Sequence, residues 1–168
     1  MTTTVAIHAF LRDAHVPYSV LPHKRALTAR AEAAAAHVPG HDWAKVVECF
    51  VDGEPIQAVV PATCTVNLAH LLDLAGGRQI RLADEPEMLR LFPGCETGAM
   101  PPFGGLYGQR VFVDVSLASE PHIYFSAGTH TEAIRMRWSD FSATVRPIVG
   151  RFADVPDDRL TAQLVQVD

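Results

Sequence analysis

The sequence predicts an α+β domain built on a mixed β-sheet that curls toward a barrel. Three observations carry that reading. Helical and strand-like segments interleave in the order αβαββαβα, then a long loop, then βββα, without strict βαβ repetition. No glycine-rich phosphate fingerprint follows a strand, which disfavours a doubly wound nucleotide-binding fold. The chain has 168 residues, 48% hydrophobic and 20% charged, enough apolar side chain for one domain core.

Each element has a local reason. Ile7, Phe10, Leu11 and Ala14 recur at i, i+3, i+4 and i+7, which predicts a helix over residues 4–14. Val16-Pro17 stops it, and residues 18–21 read as a short strand ending at Pro22. Thr28 is placed to cap an alanine-rich helix through Ala36, closed by Pro39-Gly40. Residues 45–51 and 56–60 flank Asp52-Gly53, a strong hairpin signal. Thr65 is the expected cap of a helix carrying Leu68, Leu71, Leu72 and Ala75, terminated at Gly76-Gly77. A short strand over 79–82 precedes Asp84-Glu-Pro-Glu87, which has capping-box spacing. Five glycines and three prolines exclude regular structure over 93–108. Strands follow over 110–115 and 123–126. In 131–138, Glu132, Ile134, Met136 and Trp138 alternate with Thr131, Ala133, Arg135 and Arg137, the period of a strand. Ser139 is the expected cap of a helix through Val145, and beyond Pro147 the pattern fades. The expected organisation is one domain over 1–150 and an acidic tail over 151–168.

The apolar runs fall far short of the roughly 20 residues that span a membrane, and the opening Met-Thr-Thr-Thr-Val reads as a cytosolic start. Cys49, Cys64 and Cys95 are odd in number and far apart, which fits a reducing compartment. The net charge of −5 argues against a polyanionic partner, but four aspartates against Arg159 fall in the last fifteen residues. The remainder is nearly balanced, with Arg30, Arg78, Arg81, Arg135 and Arg137 available to phosphates if they share a face.

Lys24 and Lys45 are the two lysines. The strand period places Lys45 in register with Val47, Cys49 and Val51, where an ammonium loses hydration unless compensated. It is either a functional cation or a strand-end lysine that snorkels to water. The 93–108 loop is either a ligand cradle, since glycine lets backbone amides approach closely, or a plain surface connection. Ser126-Ala-Gly128 at a strand end is a weaker signal. The eight histidines form no zinc signature: Pro39-Gly40 separates His37 from His41, and no cysteine has a CxxC partner. His122 and His130 flank the Ser126 strand end. No GxSxG elbow is present, so catalysis would act by positioning and electrostatics. Tyr18, Trp43, Phe50 and Phe103 could stack on a base, with core packing the default for each.

Taken together, the chain resembles the YbaK/prolyl-tRNA-synthetase-associated domain family of aminoacyl-tRNA deacylases over roughly residues 5–147. The matching features run in order: His23 after the first strand, Thr28 opening the alanine-rich helix, Lys45 opening the hairpin and Val59-Val60-Pro61 at a strand end. Gly98-xxx-Pro102-Phe-Gly104, Asp114 and Ser126-Ala-Gly128 complete the series. The resemblance implies a mixed, barrel-like sheet surrounded by helices. It also implies hydrolysis of the ester joining a wrong amino acid to the terminal adenosine of a tRNA, typically tRNA for proline. No metal, cofactor or side-chain nucleophile is expected. The mischarged acceptor end is the implied partner, with neither DNA nor a membrane. By the same resemblance Lys45, Gly98 and Pro102 are the catalytic positions, with the substrate's 2′-hydroxyl helping to activate water. Tyr18, His23, Thr28, Ala99, Met100, Phe103, Gly104, Ser126, Gly128 and His130 are the substrate-binding ones. The family loop commonly reads Gly-Gly-Val-Ser-Pro-Phe-Gly, whereas here Ala99 replaces a glycine and Pro101 a serine, removing one N–H. Val46 replaces the asparagine or threonine that marks known branches. A pocket of Ala99, Met100 and Cys49 would suit a small or medium aliphatic group. The competing expectation is a catalytically silent module that binds a tRNA end, an aminoacyl compound or a protein.

Overall fold

The computed structural model describes residues 3–156. Its core element is the hairpin of β2 (Ala44–Val51) and β3 (Glu54–Pro61). Asp52 and Gly53 both take positive φ, 50° and 83°, the geometry that keeps a two-residue turn in step with strand twist. The Asp52 carboxylate accepts the N–H groups of Arg78 and Gln79 and so ties the turn to the next segment.

Around the hairpin a five-stranded sheet forms in the order β5-β2-β3-β6-β9, with β5 over Ile80–Leu82, β6 over Arg110–Asp114 and β9 over Ile148–Gly150. Its β5, β2 and β3 strands are antiparallel, while β3–β6 and β6–β9 are parallel. A second, antiparallel sheet has the order β1-β8-β7, from Ser19–Pro22, Glu132–Arg137 and His122–Ser126. A bridge between Trp43 and Tyr124 joins the two sheets, giving the expected mixed architecture without one closed ladder.

Helices cover both faces. One core packs Ile7 and Leu11 of α1 (Thr3–Asp13) and Phe141 of α6 (Trp138–Val145) against Val59, Val113, Phe125 and Ile134. The other packs Leu71 of α3 (Leu68–Ala75) against Cys49, Ile56, Ala58, Val60 and Phe112. Helix α2 (Ala29–Ala35) is capped by Thr28 as expected, and α4 (Glu85–Leu91) carries the complete Asp84–Glu87 capping box.

Three expectations are corrected. Thr65 does not cap α3: Thr65–Val66 forms β4, paired with β10 (Ala153–Asp154), and Asn67 caps the helix two residues later. Ser139 lies inside α6, whose cap position is Arg137. The chain does not fade after Pro147, because β9 and β10 are paired strands and Phe152 is 1% exposed. Asp114, just before the short α5 (Val115–Ala118), fixes this segment by accepting the N–H groups of Phe152 and Ala153 at 2.9 and 2.8 Å. The packed domain therefore runs past 150; residues 157–168 of the expected tail lie outside the described residues.

Gly104 opens a 3-10 turn over Gly104–Tyr107, and a Cβ there would lie 2.5 Å from the Gln109 carbonyl oxygen and 2.7 Å from Val111 Cγ2. Gly104→Ala is expected to lower stability by about 2 kcal/mol, because rigid backbone must move to admit one methyl. A denaturation midpoint unchanged from wild type would contradict this.

Candidate active site

The Gly98–Pro102 loop is fastened to the domain through one buried carboxylate. Glu32 lies in the alanine-rich α2 on the same helical face as Ala29, Ala33 and Ala36, and it is fully buried. Its Oε2 accepts the Ser126 hydroxyl at 3.0 Å, and its Oε1 lies 3.1 Å from His130 Nδ1. His130 Nε2 is 2.8 Å from the Thr97 carbonyl oxygen, an obligate acceptor, so this nitrogen carries a proton. Burial pushes the Glu32 carboxyl up, while the Ser126 and His130 bonds pull it back.

Glu96 completes the fastening. Its Oε2 accepts the His130 N–H at 2.6 Å and its Oε1 the Arg25 guanidinium at 3.0 Å, donors that hold it below the ordinary carboxylate range. Backbone bonds from Glu96 N to Gly128 O and from Gly128 N to Ala99 O close the stitch. Gly98, at φ 87°, carries the sharp turn, and its N–H points to Met100 Sδ at 3.3 Å. Further along, the Pro101 carbonyl accepts Gln57 Nε2 at 3.1 Å from β3.

Beside this loop lies a cavity of about 210 Å³. It runs along the edge of β2 at Val46, Val47 and Glu48, upstream of where β5 pairs. Leu82, Ala83 and Met88 form another wall, and Thr97, Gly98 and Met100 the loop side. Strand alternation puts Val46 and Glu48 on the loop side of the sheet with Gln57. Lys45 lies with Val47, Cys49 and Val51 on the α3 side, in the register read from the sequence. The Lys45 ammonium donates to the Cys64 carbonyl at 2.6 Å. Burial lowers its pKa and the neighbouring Arg30 lowers it further, opposed by Cys64.

The structure brings Gly98, Met100, Gly128, Ser126 and His130 together, with Ala99 buried behind them. His23 joins this group from the rim, where its ring stands edge-on to Trp43. Thr28 acts as the cap that starts α2. Several expected contacts go elsewhere. Phe103 turns into the aromatic core against Phe10, Phe125 and Phe141, so its ring holds the loop instead of stacking on a base. Pro102 and Gly104 are buried with it. Tyr18 bonds His8 Nδ1 at 3.0 Å, and His8 in turn lies 2.6 Å from Glu132, beside a different cleft that His122 and Arg135 line. Cys49 is fully buried on the α3 side and does not line the cavity; burial and the adjacent Glu48 push its thiol up to about 12.

The arginines do not form one stripe. Arg78 and Arg81 line one cleft and Arg135 and Arg137 another, and of the five Arg30 alone acts on Lys45. Among the described residues one set of side chains, His41, Asp42 and Glu120, has metal-ligand proximity, and its His41 and Glu120 line a separate cleft with Asp114.

The sequence reading missed Glu32, Glu48, Gln57 and Glu96. A lone glutamate within Ala31–Ala36 was the available signal for Glu32. Glu32→Ala would leave a buried histidine and serine unpaired, and a loss of about 3 kcal/mol is expected. Amide hydrogen exchange over 96–100 should accelerate with it, whereas Glu32→Gln should retain much of the protection; unchanged exchange in the alanine variant would refute the fastening role.

The aminoacyl-tRNA editing domain profile matches residues 23–143, which contain every part of this loop network. The chain belongs to the aminoacyl-tRNA editing domain family. Solved structures share the editing domain's fold at low identity. A candidate trans-editing enzyme for prolyl tRNA synthetase is 20% identical with a TM-score of 0.77, covering 92% of this chain and 98% of its own. A hypothetical protein is 20% identical with a TM-score of 0.80, covering 88% and 99%. A candidate signal transduction protein from Marinobacter aquaeolei is 20% identical with a TM-score of 0.68, covering 89% of this chain and 30% of its own. No curated protein sequence matches the chain. No described helix is long and apolar enough to cross a membrane.

Proposed function

We infer that the protein is an editing hydrolase that acts in trans to remove a wrong amino acid from the acceptor end of a tRNA. The observation that carries this reading is the Gly98–Pro102 loop, locked by Glu32 and His130 beside the β2-edge cavity in a chain of the editing family. The description of one structural neighbour as a candidate trans-editing enzyme for prolyl tRNA synthetase supports action in trans and tRNA for proline as substrate.

In this reading the aminoacyl group enters the cavity and the terminal nucleotide lies toward Lys45 and Arg30, two cations suited to phosphate. Water attacks the ester carbonyl, the carbonyl oxygen takes up negative charge, and the bond to the ribose oxygen breaks. The products are free amino acid and uncharged tRNA. The donors for the developing oxyanion are the N–H groups of Gly98, now turned to a weak thioether acceptor, and of Met100, which has no partner among the described residues. The substrate's own 2′-hydroxyl assists the attacking water.

Pro101, which has no N–H, favours a second reading as a silent binding module. Single-turnover assays on a panel of mischarged tRNAs separate the two. Hydrolysis of any member supports the editing enzyme, and binding without hydrolysis across the panel overturns it.

A further inference from the structure

Two arginines of β8 share one face of their strand. Ile134 and Met136 are buried in the core, so the strand period turns Arg135 and Arg137 outward. The register sets Ser19 and Tyr124 on either side of Arg135 and His122 beside Arg137. Ser19, His122 and both arginines line a cleft of about 180 Å³. Each guanidinium is positioned and still has N–H groups to give. Arg135 lies over the Tyr124 ring, 6.0 Å from its centroid, and its Nη2 is 3.2 Å from His122 Nε2. Its Nε is buried with no hydrogen-bond partner among the described residues. Asp140 accepts the Arg137 Nε at 3.0 Å and fixes a side chain that is 62% exposed. Glu132 belongs to the opposite face of β8, where His8 lies 2.6 Å from it.

We propose that this cleft binds two successive phosphates of the tRNA strand that carries the amino acid, a few nucleotides before its aminoacylated end. This rests on the editing reading above. Two residues of a strand advance about 7 Å, the scale of one phosphate-to-phosphate step along RNA, so Arg135 and Arg137 can each take one. Their planar forks give parallel N–H groups to phosphate oxygens. Strand β7 runs from His122 in the cleft to Ser126 at the loop network, four residues or about 13 Å. That span passes beyond the terminal phosphate and suits those upstream of it. Helix α2 packs on the same outer face, with Ala29 and Ala33 grouped with Tyr124, and it carries Arg30, the neighbour of Lys45. A strand leaving the cleft toward the ester therefore meets a third cation on its way. Contacts of this kind set the register of the RNA without reading its sequence.

The test compares wild type with two double variants, Arg135→Gln/Arg137→Gln and Arg135→Lys/Arg137→Lys, and with Arg137→Gln alone. Uncharged tRNA binding is followed by fluorescence anisotropy between about 50 and 200 mM salt. Single-turnover deacylation of mischarged tRNA is followed at varied enzyme concentration. The glutamine double variant should bind tRNA at least about 10-fold more weakly, and its logarithmic salt slope should be shallower by about 1.5, the share of two phosphate contacts. The lysine double variant should keep the slope, because the charge remains. In deacylation the glutamine variant should need more enzyme for half-saturation, with little change in the maximal rate. An unchanged affinity and salt slope in the glutamine double variant, with tRNA still hydrolysed, overturns the proposal and leaves the editing reading standing. A fall in maximal rate at unchanged half-saturation does the same. Should the double variant fail to fold, Arg137→Gln, a change at an exposed side chain, decides: an unchanged salt slope overturns the proposal. If no tRNA is hydrolysed but binding depends on the two arginines, the hydrolase reading fails and the proposal stands. A wild type that neither binds nor hydrolyses tRNA overturns both.

Discussion

Lys45→Ala should lower the single-turnover deacylation rate by about 10²-fold, the cost of letting the ester shift once the cation that holds the terminal nucleotide is gone. The side chain is half-buried at the start of β2, and its ammonium is held 2.6 Å from the Cys64 carbonyl. That single bond fixes the cation in place before substrate arrives, so no reorganisation is needed at the moment of reaction. Stability should hardly change, because one hydrogen bond of a partly solvated group contributes only about 1 kcal/mol. Lys45→Arg should not restore the rate, since a planar guanidinium cannot place its charge at the point where the ammonium meets the Cys64 carbonyl. Full activity in the alanine variant, with a melting curve like that of wild type, would remove Lys45 from the mechanism. A loss of activity accompanied by unfolding would be separated from a loss of catalysis by the variant's far-ultraviolet circular dichroism.

The strand face that Lys45 occupies was legible in the sequence because its argument is local. A strand has a period of two, the Asp52-Gly53 turn sets the register, and the face carrying Lys45, Val47, Cys49 and Val51 follows. The Asp84–Glu87 capping box and the Thr28 cap were readable for the same reason, since each is complete within four residues. What was missed depends on distant partners. Thr65 looks like a cap until Asp154 draws it into a strand, leaving Asn67 to start the helix. The segment after Pro147 looks polar and weakly patterned, yet Asp114 gathers the N–H groups of Phe152 and Ala153 and seats them. Glu32 reads as one more solvated helix position until Ser126 and His130, more than ninety residues away, close over it. Phe103 lies in a loop whose spacing suggests a ligand, and only the packing of α1 and α6 shows that its ring belongs to the core. Period and capping thus reveal which face a residue occupies. They do not reveal what the opposite element brings to that face.

The protein should be most stable at mildly acidic pH and should weaken as the pH rises to 8, with Glu48 the main cause. In the unfolded chain this carboxyl ionises near its ordinary value of 4.5; in the fold, burial raises it to about 8. Between those values the folded state holds a proton that the unfolded state has released, so stability falls as pH increases. From pH 5 to pH 8 the loss should be about 3 kcal/mol from this one group. Glu32, also raised by burial, acts in the same direction. Asp114, Glu96 and Glu87 act oppositely. Burial alone would raise Asp114, but the Ser116, Phe152 and Ala153 donors outweigh it and hold the carboxyl low. The His130 N–H lowers Glu96, and the Arg81 guanidinium takes Glu87 down to about 2. Their contributions are present above the ordinary carboxylate range and are lost as the pH falls below about 4. Urea denaturation across pH 3–9 should therefore trace a dome with its top near pH 5. Glu48→Gln removes the titration and should flatten the alkaline side while leaving the acid side in place. Glu48→Leu should also be more stable than wild type at pH 8, because it replaces a buried carboxyl that is partly ionised at that pH by an apolar group of similar volume. A wild-type profile that is level from pH 5 to 8, or a Glu48→Gln profile with the same slope, would show that the carboxyl is hydrated or paired in solution.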